Sequence, residues 1–220
     1  MSKEEQRNKQ IAITTIIAFF VILIAWTGAW LLWLALEARF EAFGSEWAEL
    51  LYWLLIKTMI WILPGFWVLK RCDNAKRIFL VQSWKKTLVW GFAIGGFLLA
   101  LNIGTRIMSG NWSLPYASPL DFLGVVIIAP ISEEFIMRGA VLSALRLKLH
   151  FLTANIITAF LFMLLHFPGW YFKGVLQMNL LNPLSGALAI LLIGFLLGVA
   201  AEKGKSLYSA IIVHMLNNLF

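Results

Sequence analysis

The sequence predicts an all-α polytopic membrane protein of about seven transmembrane helices with its N-terminus in the cytoplasm. Three observations carry that prediction. Only 13% of the 220 residues are charged and 61% are hydrophobic, whereas an ordinary soluble domain holds about 25% charged residues. Three stretches without a charge, Ile11 to Leu36, Thr87 to Thr105 and Gly174 to Ala201, each reach the roughly 18 to 20 residues that a spanning helix needs. Lysine and arginine also alternate between the two ends of the successive apolar segments.

The first helix is read over Ile11 to Leu36, 26 residues. It exceeds the roughly 7 to 15 apolar residues of a signal peptide, lacks a small-x-small cleavage site, and is expected to be kept. The second, Leu50 to Leu69, contains Lys57, for which snorkelling to the interface is the expected behaviour and pairing with a site glutamate the alternative. The third, Thr87 to Ile107, carries Gly91-x-x-x-Gly95, a spacing that lets helices approach closely. The fourth, Leu120 to Leu147, follows the breakers Ser113-Leu114-Pro115 and Ser118-Pro119. It requires a charged cluster inside the helix. The fifth, Leu152 to Phe167, is expected to end at Pro168-Gly169. The sixth, Leu184 to Ala201, starts after Asn182-Pro183 and holds Gly194-x-x-x-Gly198. The seventh, Ser206 to Phe220, would span only about 22 Å at 1.5 Å per residue.

Thirteen basic residues fall on one side: Lys3, Arg7 and Lys9; the run from Lys70 to Lys86; Arg146 and Lys148; Lys203 and Lys205. The other side has Arg39, Arg106 and Lys173. The excess marks the cytoplasmic face. The net charge of +7 thus reflects topology, and nucleic acid is not an expected partner. The single cysteine, Cys72, excludes an internal disulfide and sits in a basic, reduced loop. Trp26, Trp30 and Trp33, like Trp84 and Trp90, fit interfacial aromatic belts.

The chemistry concentrates in the fourth helix, in Ile131-Ser132-Glu133-Glu134-Phe135-Ile136-Met137-Arg138. Ionisable residues in an apolar span are costly and are functional candidates by default. Glu134 and Arg138 are four apart and share a helix face, so they are expected to pair. Glu133 lies about 100° round the helix and needs a partner from elsewhere. Pro130 just upstream is placed to kink the helix. Taken alone, this cluster fits structural ion pairs or proton-coupled transport as readily as catalysis. Two further polar patterns shift the balance. Phe162-x-x-x-His166 lies in the fifth helix and His214-x-x-x-Asn218 in the seventh. Two of the three histidines thus join two acids in apolar helices, which points to a hydrolytic or metal site. The third, His150, is read as interfacial.

Glu-Glu-x-x-x-Arg, Phe-x-x-x-His and His-x-x-x-Asn, in that order, resemble the three motifs of the CPBP (Abi) family of intramembrane proteases, which includes the type II CAAX prenyl endopeptidases. The resemblance covers residues 120–220, which it marks as a catalytic helical core. Residues 1–119, with the first three helices, lie outside it. It implies an intramembrane endopeptidase acting on a membrane-associated protein or peptide in the bilayer. Glu133, assisted by His166, would be the base that activates water. His214 and Asn218 would stabilise the oxyanion. Glu134 and Arg138 would orient, and Phe162 would pack. Amide hydrolysis needs such a base and such preorganised donors.

The cofactor stays open between none and zinc, with Glu133, His166 and His214 as the possible ligands. The metal-free reading gives the asparagine and second histidine a role as donors. The helical metalloprotease pattern His-Glu-x-x-His is absent from the sequence. The alternative function is a non-proteolytic bacteriocin-immunity or scaffold protein, or a proton-coupled transporter using the same polar site. The small chain is expected in a bacterial plasma membrane.

Overall fold

Serine sets where most of the helices begin. In the computed structural model, which describes residues 2–72, 81–110, 113–182 and 186–220, the hydroxyls of Ser2, Ser45, Ser83, Ser118 and Ser206 accept backbone N–H groups two or three residues on. Each satisfies a donor that a helix start leaves without a partner. The helices they cap are α1 (Lys3–Arg39), α2 (Glu46–Leu69), α3 (Trp84–Ser109), α4 (residues 119–145) and α8 (Leu207–Asn217). Between them lie α5 (Phe151–Phe172), the short α6 (Leu176–Leu181) and α7 (Ala187–Gly204). Helices α1, α2, α3, α5 and α7 are long and apolar enough to cross a membrane.

All seven expected segments are helical, and their ends differ in informative ways. Helix α5 runs through Pro168 to Phe172 instead of stopping at Phe167. A proline is tolerated inside a membrane helix where neighbours take up the backbone groups it disturbs. Pro168 removes the donor of the Leu164 carbonyl, and beside it the Trp26 indole N–H donates to the carbonyl of Leu165 at 3.1 Å. Helix α6 falls in the stretch between the fifth and sixth expected helices. Helix α7 starts at Ala187, and the expected start at Leu184 lies outside the described residues. Helix α8 ends at Asn217, with Asn218 capping it through an N–H bond to His214 O of 2.9 Å.

Helix α4 is the centre of the molecule and is not uniformly α-helical. Wide π turns cover Leu123–Ile128 and Phe135–Leu142, with α-helical Ala129–Glu134 between them. Pro130 explains the first. It has no N–H to give, and its ring crowds the preceding turn. The Ala129 N–H reaches back to Gly124 O, so the carbonyl of Val125 is left without its usual helical donor. Below Glu133 the helix disappears into the core: every residue of Phe135–Leu142 is buried.

Small residues bring the neighbours close. A Cβ on Gly198 would lie 1.7 Å from Asn155 Oδ1, and one on Gly194 3.1 Å from the Phe162 ring, so α7 seats against α5 at those glycines. Gly91 and Gly95 play the same part between α3 and α8, against Ile212 and Leu216. The tryptophans of α1 depart from the expected interfacial belt. Trp26 and Trp33 are buried, and Trp26 packs at a tilt against Trp61 of α2 with ring centroids 4.5 Å apart. Trp30 packs on Trp53 at 4.5 Å. An inward aromatic wall buries large apolar area, and this one faces the site. Trp84, by contrast, is exposed.

Candidate active site

A cavity of about 600 Å³ opens between α1, α2, α4, α5, α7 and α8. Glu133, His166, His214 and Asn218 all line it, as do Phe162 and Lys57. The three motifs, 80 residues apart from Glu134 to His214, therefore converge on one space. The extension of α5 changes where His166 stands in its helix. It stands inside the helix, more than a turn before the end at Phe172, and not at an outer terminus.

Glu134 and Arg138 are the buried pair that their spacing predicts. Arg138 Nη1 donates to Glu134 Oε1 at 3.0 Å, with both side chains wholly buried. Two further bonds extend the pair across the bundle. Arg138 Nη2 donates to the Gly194 carbonyl at 2.5 Å, and His214 Nδ1 lies 2.8 Å from the same Glu134 oxygen. Since an ionised carboxylate only accepts, the His214 Nδ1 carries a hydrogen. The ring is thereby turned so that Nε2 points to Glu133, 4.0 Å from its Oε2.

His166 is fixed in the same manner. Its Nδ1 lies 2.9 Å from Phe162 O, and a carbonyl is only an acceptor, so Nδ1 holds the hydrogen and Nε2 of the neutral ring carries the lone pair. Phe162 does more than fill space. Its ring meets His166 edge-on at 4.9 Å and His214 at 5.8 Å, and Arg138 lies over it at 4.6 Å. It thus touches a member of each motif.

Asn218 gets its orientation from α4. Its Nδ2 donates to Val125 O at 3.0 Å, the carbonyl that the wide turn and Pro130 leave without a helical donor. Its Oδ1 accepts from Asn217 Nδ2 at 3.2 Å, so Asn217 supports the amide from the adjacent position. The Tyr116 hydroxyl donates to the Asn218 carbonyl.

Lys57 is where the snorkelling expectation fails. Its ammonium lies 3.7 Å from Glu133 Oε1 and 5.1 Å from the Trp61 ring, with the side chain 12% exposed. The partner that Glu133 lacks on its own helix comes from α2. Its place inside an apolar span was the one sequence signal, since an intramembrane charge calls for a counter-charge.

The possible zinc ligands do not form a metal site. Among the described residues, no three His, Cys, Asp or Glu side chains gather as a group that could hold a metal ion. The physical reason is local. A lysine ammonium already faces Glu133, although the Nδ1 bonds of the two histidines leave each Nε2 free. No step is therefore routed through a metal.

Residues 115–220 match the model of a protein family described as type II CAAX prenyl endopeptidase Rce1-like. The match takes in α4 to α8 and all three motifs, in agreement with the resemblance read from them. The likeness is to CAAX-type proteases of the membrane, at the level of the family. No curated protein matches the chain.

Proposed function

We propose that this chain, whose residues 115–220 carry the Rce1-like match, is an intramembrane endopeptidase that hydrolyses a peptide bond with Glu133-activated water. The observation that carries the reading is the convergence of Glu133, His166, His214 and Asn218 on one cavity. The helical core of residues 120–220 supplies these four groups. Residues 1–119 supply Lys57 and an aromatic wall.

In this mechanism water sits between Glu133 and the Nε2 of His166. Glu133 takes its proton as the oxygen attacks the scissile carbonyl, and the His166 lone pair orients the water. Negative charge then develops on the carbonyl oxygen. The second N–H of Asn218 and the Nε2 of His214 are the donors for it. Donation from His214 Nε2 requires the ring to hold hydrogens on both nitrogens. Glu134, held by Arg138, anchors the opposite side of that ring. Collapse of the intermediate passes the proton from Glu133 to the leaving amine. Lys57 balances the charge of Glu133 before attack. The substrate is a membrane-associated peptide or protein that enters a cavity walled by Trp26, Trp30 and Trp53.

The test is a peptide-library assay with purified protein in detergent, with Glu133→Gln and His166→Ala alongside. Both variants are expected to lose cleavage. Undiminished turnover in both sinks the reading. Cleavage by protein shown to contain no metal, undiminished by a chelator, is also expected. Restoration of lost activity by zinc alone would overturn the metal-independent mechanism.

A further inference from the structure

The cavity has a mouth at one end of the bundle. Glu46 and Glu49 at the start of α2, Ser118 and Asp121 at the start of α4, and Lys173 just past α5 all line it. Successive spanning helices alternate in direction, so these positions share the end opposite the start of α1. Contacts at the other end fix the arrangement. Lys148, past the end of α4, lies 3.1 Å from Glu5 near the start of α1, and Thr87 near the start of α3 bonds Gly204 at the end of α7 at 3.3 Å.

Toward that other end the site is closed. Immediately below Glu133 and Glu134, all eight residues of Phe135–Leu142 are buried, Met137 and Ala140 with no exposed surface. Among the described residues, the cavity lining includes none of the basic residues of the α1 end. The hollow at that end, about 420 Å³ and lined by Arg7, Thr14, Trp67 and Arg71 among others, shares no residue with the catalytic cavity.

Charge tells the two ends apart. Among the described residues, eleven lysines and arginines belong to the closed end and three to the open end, where Glu37, Glu41, Glu46, Glu49 and Asp121 also lie. The basic end stays in the cytoplasm. We infer that the cavity opens to the extracytoplasmic face and takes its substrate from there. What enters rests on the endopeptidase reading; the side of entry rests on geometry and charge alone. The matching substrate class is a peptide segment exposed on the outer surface of the membrane, such as that of an exported peptide or an outward-facing loop. A cytoplasmic tail would have to cross the packed layer beneath Glu133. With three carboxylates and one lysine at the mouth, a basic segment is favoured over an acidic one.

The experiment uses the full chain with Cys72→Ser and single cysteines at Ser118, Ile128 or Lys85. Ile128 lines the cavity above Glu133. Right-side-out and inverted membrane vesicles are treated with a charged, membrane-impermeant maleimide, and separate unlabelled vesicles of the Cys72→Ser protein are supplied externally with an impermeant peptide that the purified protein cleaves. Ser118→Cys and Ile128→Cys are expected to label in right-side-out vesicles, and Lys85→Cys only in inverted ones. Cleavage is expected in right-side-out vesicles. Labelling of Ile128→Cys from inverted vesicles alone, or cleavage by inverted vesicles alone, overturns the inference. The expected labelling with no peptide cleaved by purified protein supports the side of entry and counts against the endopeptidase reading instead.

Discussion

Arg138→Met deletes the positive partner of a carboxylate with no exposed surface. At 3.0 Å and an effective dielectric constant of about 20, the two charges attract by ~5.5 kcal/mol. Part of that attraction offsets the desolvation of both groups. Breaking a buried pair by removing one partner typically costs about 3–5 kcal/mol, because the other charge stays buried without compensation. Arg138 also donates to the Gly194 carbonyl, so its loss removes a second bond across the bundle. The expected loss of folding free energy is therefore about 3–5 kcal/mol. The assay is equilibrium unfolding in mixed micelles, followed by helical circular dichroism. The double variant Glu134→Gln with Arg138→Met removes the stranded charge and is expected to be less damaged than the sum of its parts. A loss below about 1 kcal/mol, the range of exposed ion pairs, or strict additivity in the double variant, would refute the reasoning.

Three further outcomes follow from the packing. Lys57→Met strips Glu133 of its cation, and is expected to lower kcat by about 10- to 100-fold with little change in KM, while Lys57→Arg retains part of the rate. Equal rates in wild type and Lys57→Met would remove Lys57 from the site. Asn218→Ala is expected to lower kcat by about 10²- to 10³-fold, the usual effect of one oxyanion donor; an effect on KM alone would assign Asn218 to binding. Gly198→Ala drives a methyl into Asn155, whose amide holds Phe195 O at 3.0 Å. It is expected to destabilise by about 1–3 kcal/mol in the same unfolding assay, and an unchanged midpoint would contradict the close approach of α5 and α7.

Much of the bundle was legible because a membrane span announces itself by length and hydropathy alone. The Glu134–Arg138 pair was legible too, because four residues on a helix define one face. What the pattern hides is direction. Trp26 and Trp33 obey the composition of an interfacial belt, yet their rings turn inward to Trp61, Trp53 and Tyr52, and only the neighbouring helix decides that. Lys57 and Glu133 are brought together by tertiary packing, so no local spacing relates them. Pro168 reads as a stop because a soluble helix would end there, whereas α5 continues with the Trp26 indole bonded to the Leu165 carbonyl. The orientation of Asn218 depends on the backbone of α4, where Pro130 and a wide turn leave the Val125 carbonyl for a side chain to satisfy. A proline in the sequence signals a disturbance, but not which partner repairs it.

The central proposal is that Glu133 activates water in this cavity, and the turnover of purified Glu133→Gln on a cleaved peptide tests it most directly. The substitution keeps shape and removes the base. A fall in kcat of about 10²- to 10⁴-fold, with the unfolding midpoint unchanged, is the expected result. Wild-type turnover by Glu133→Gln would contradict it.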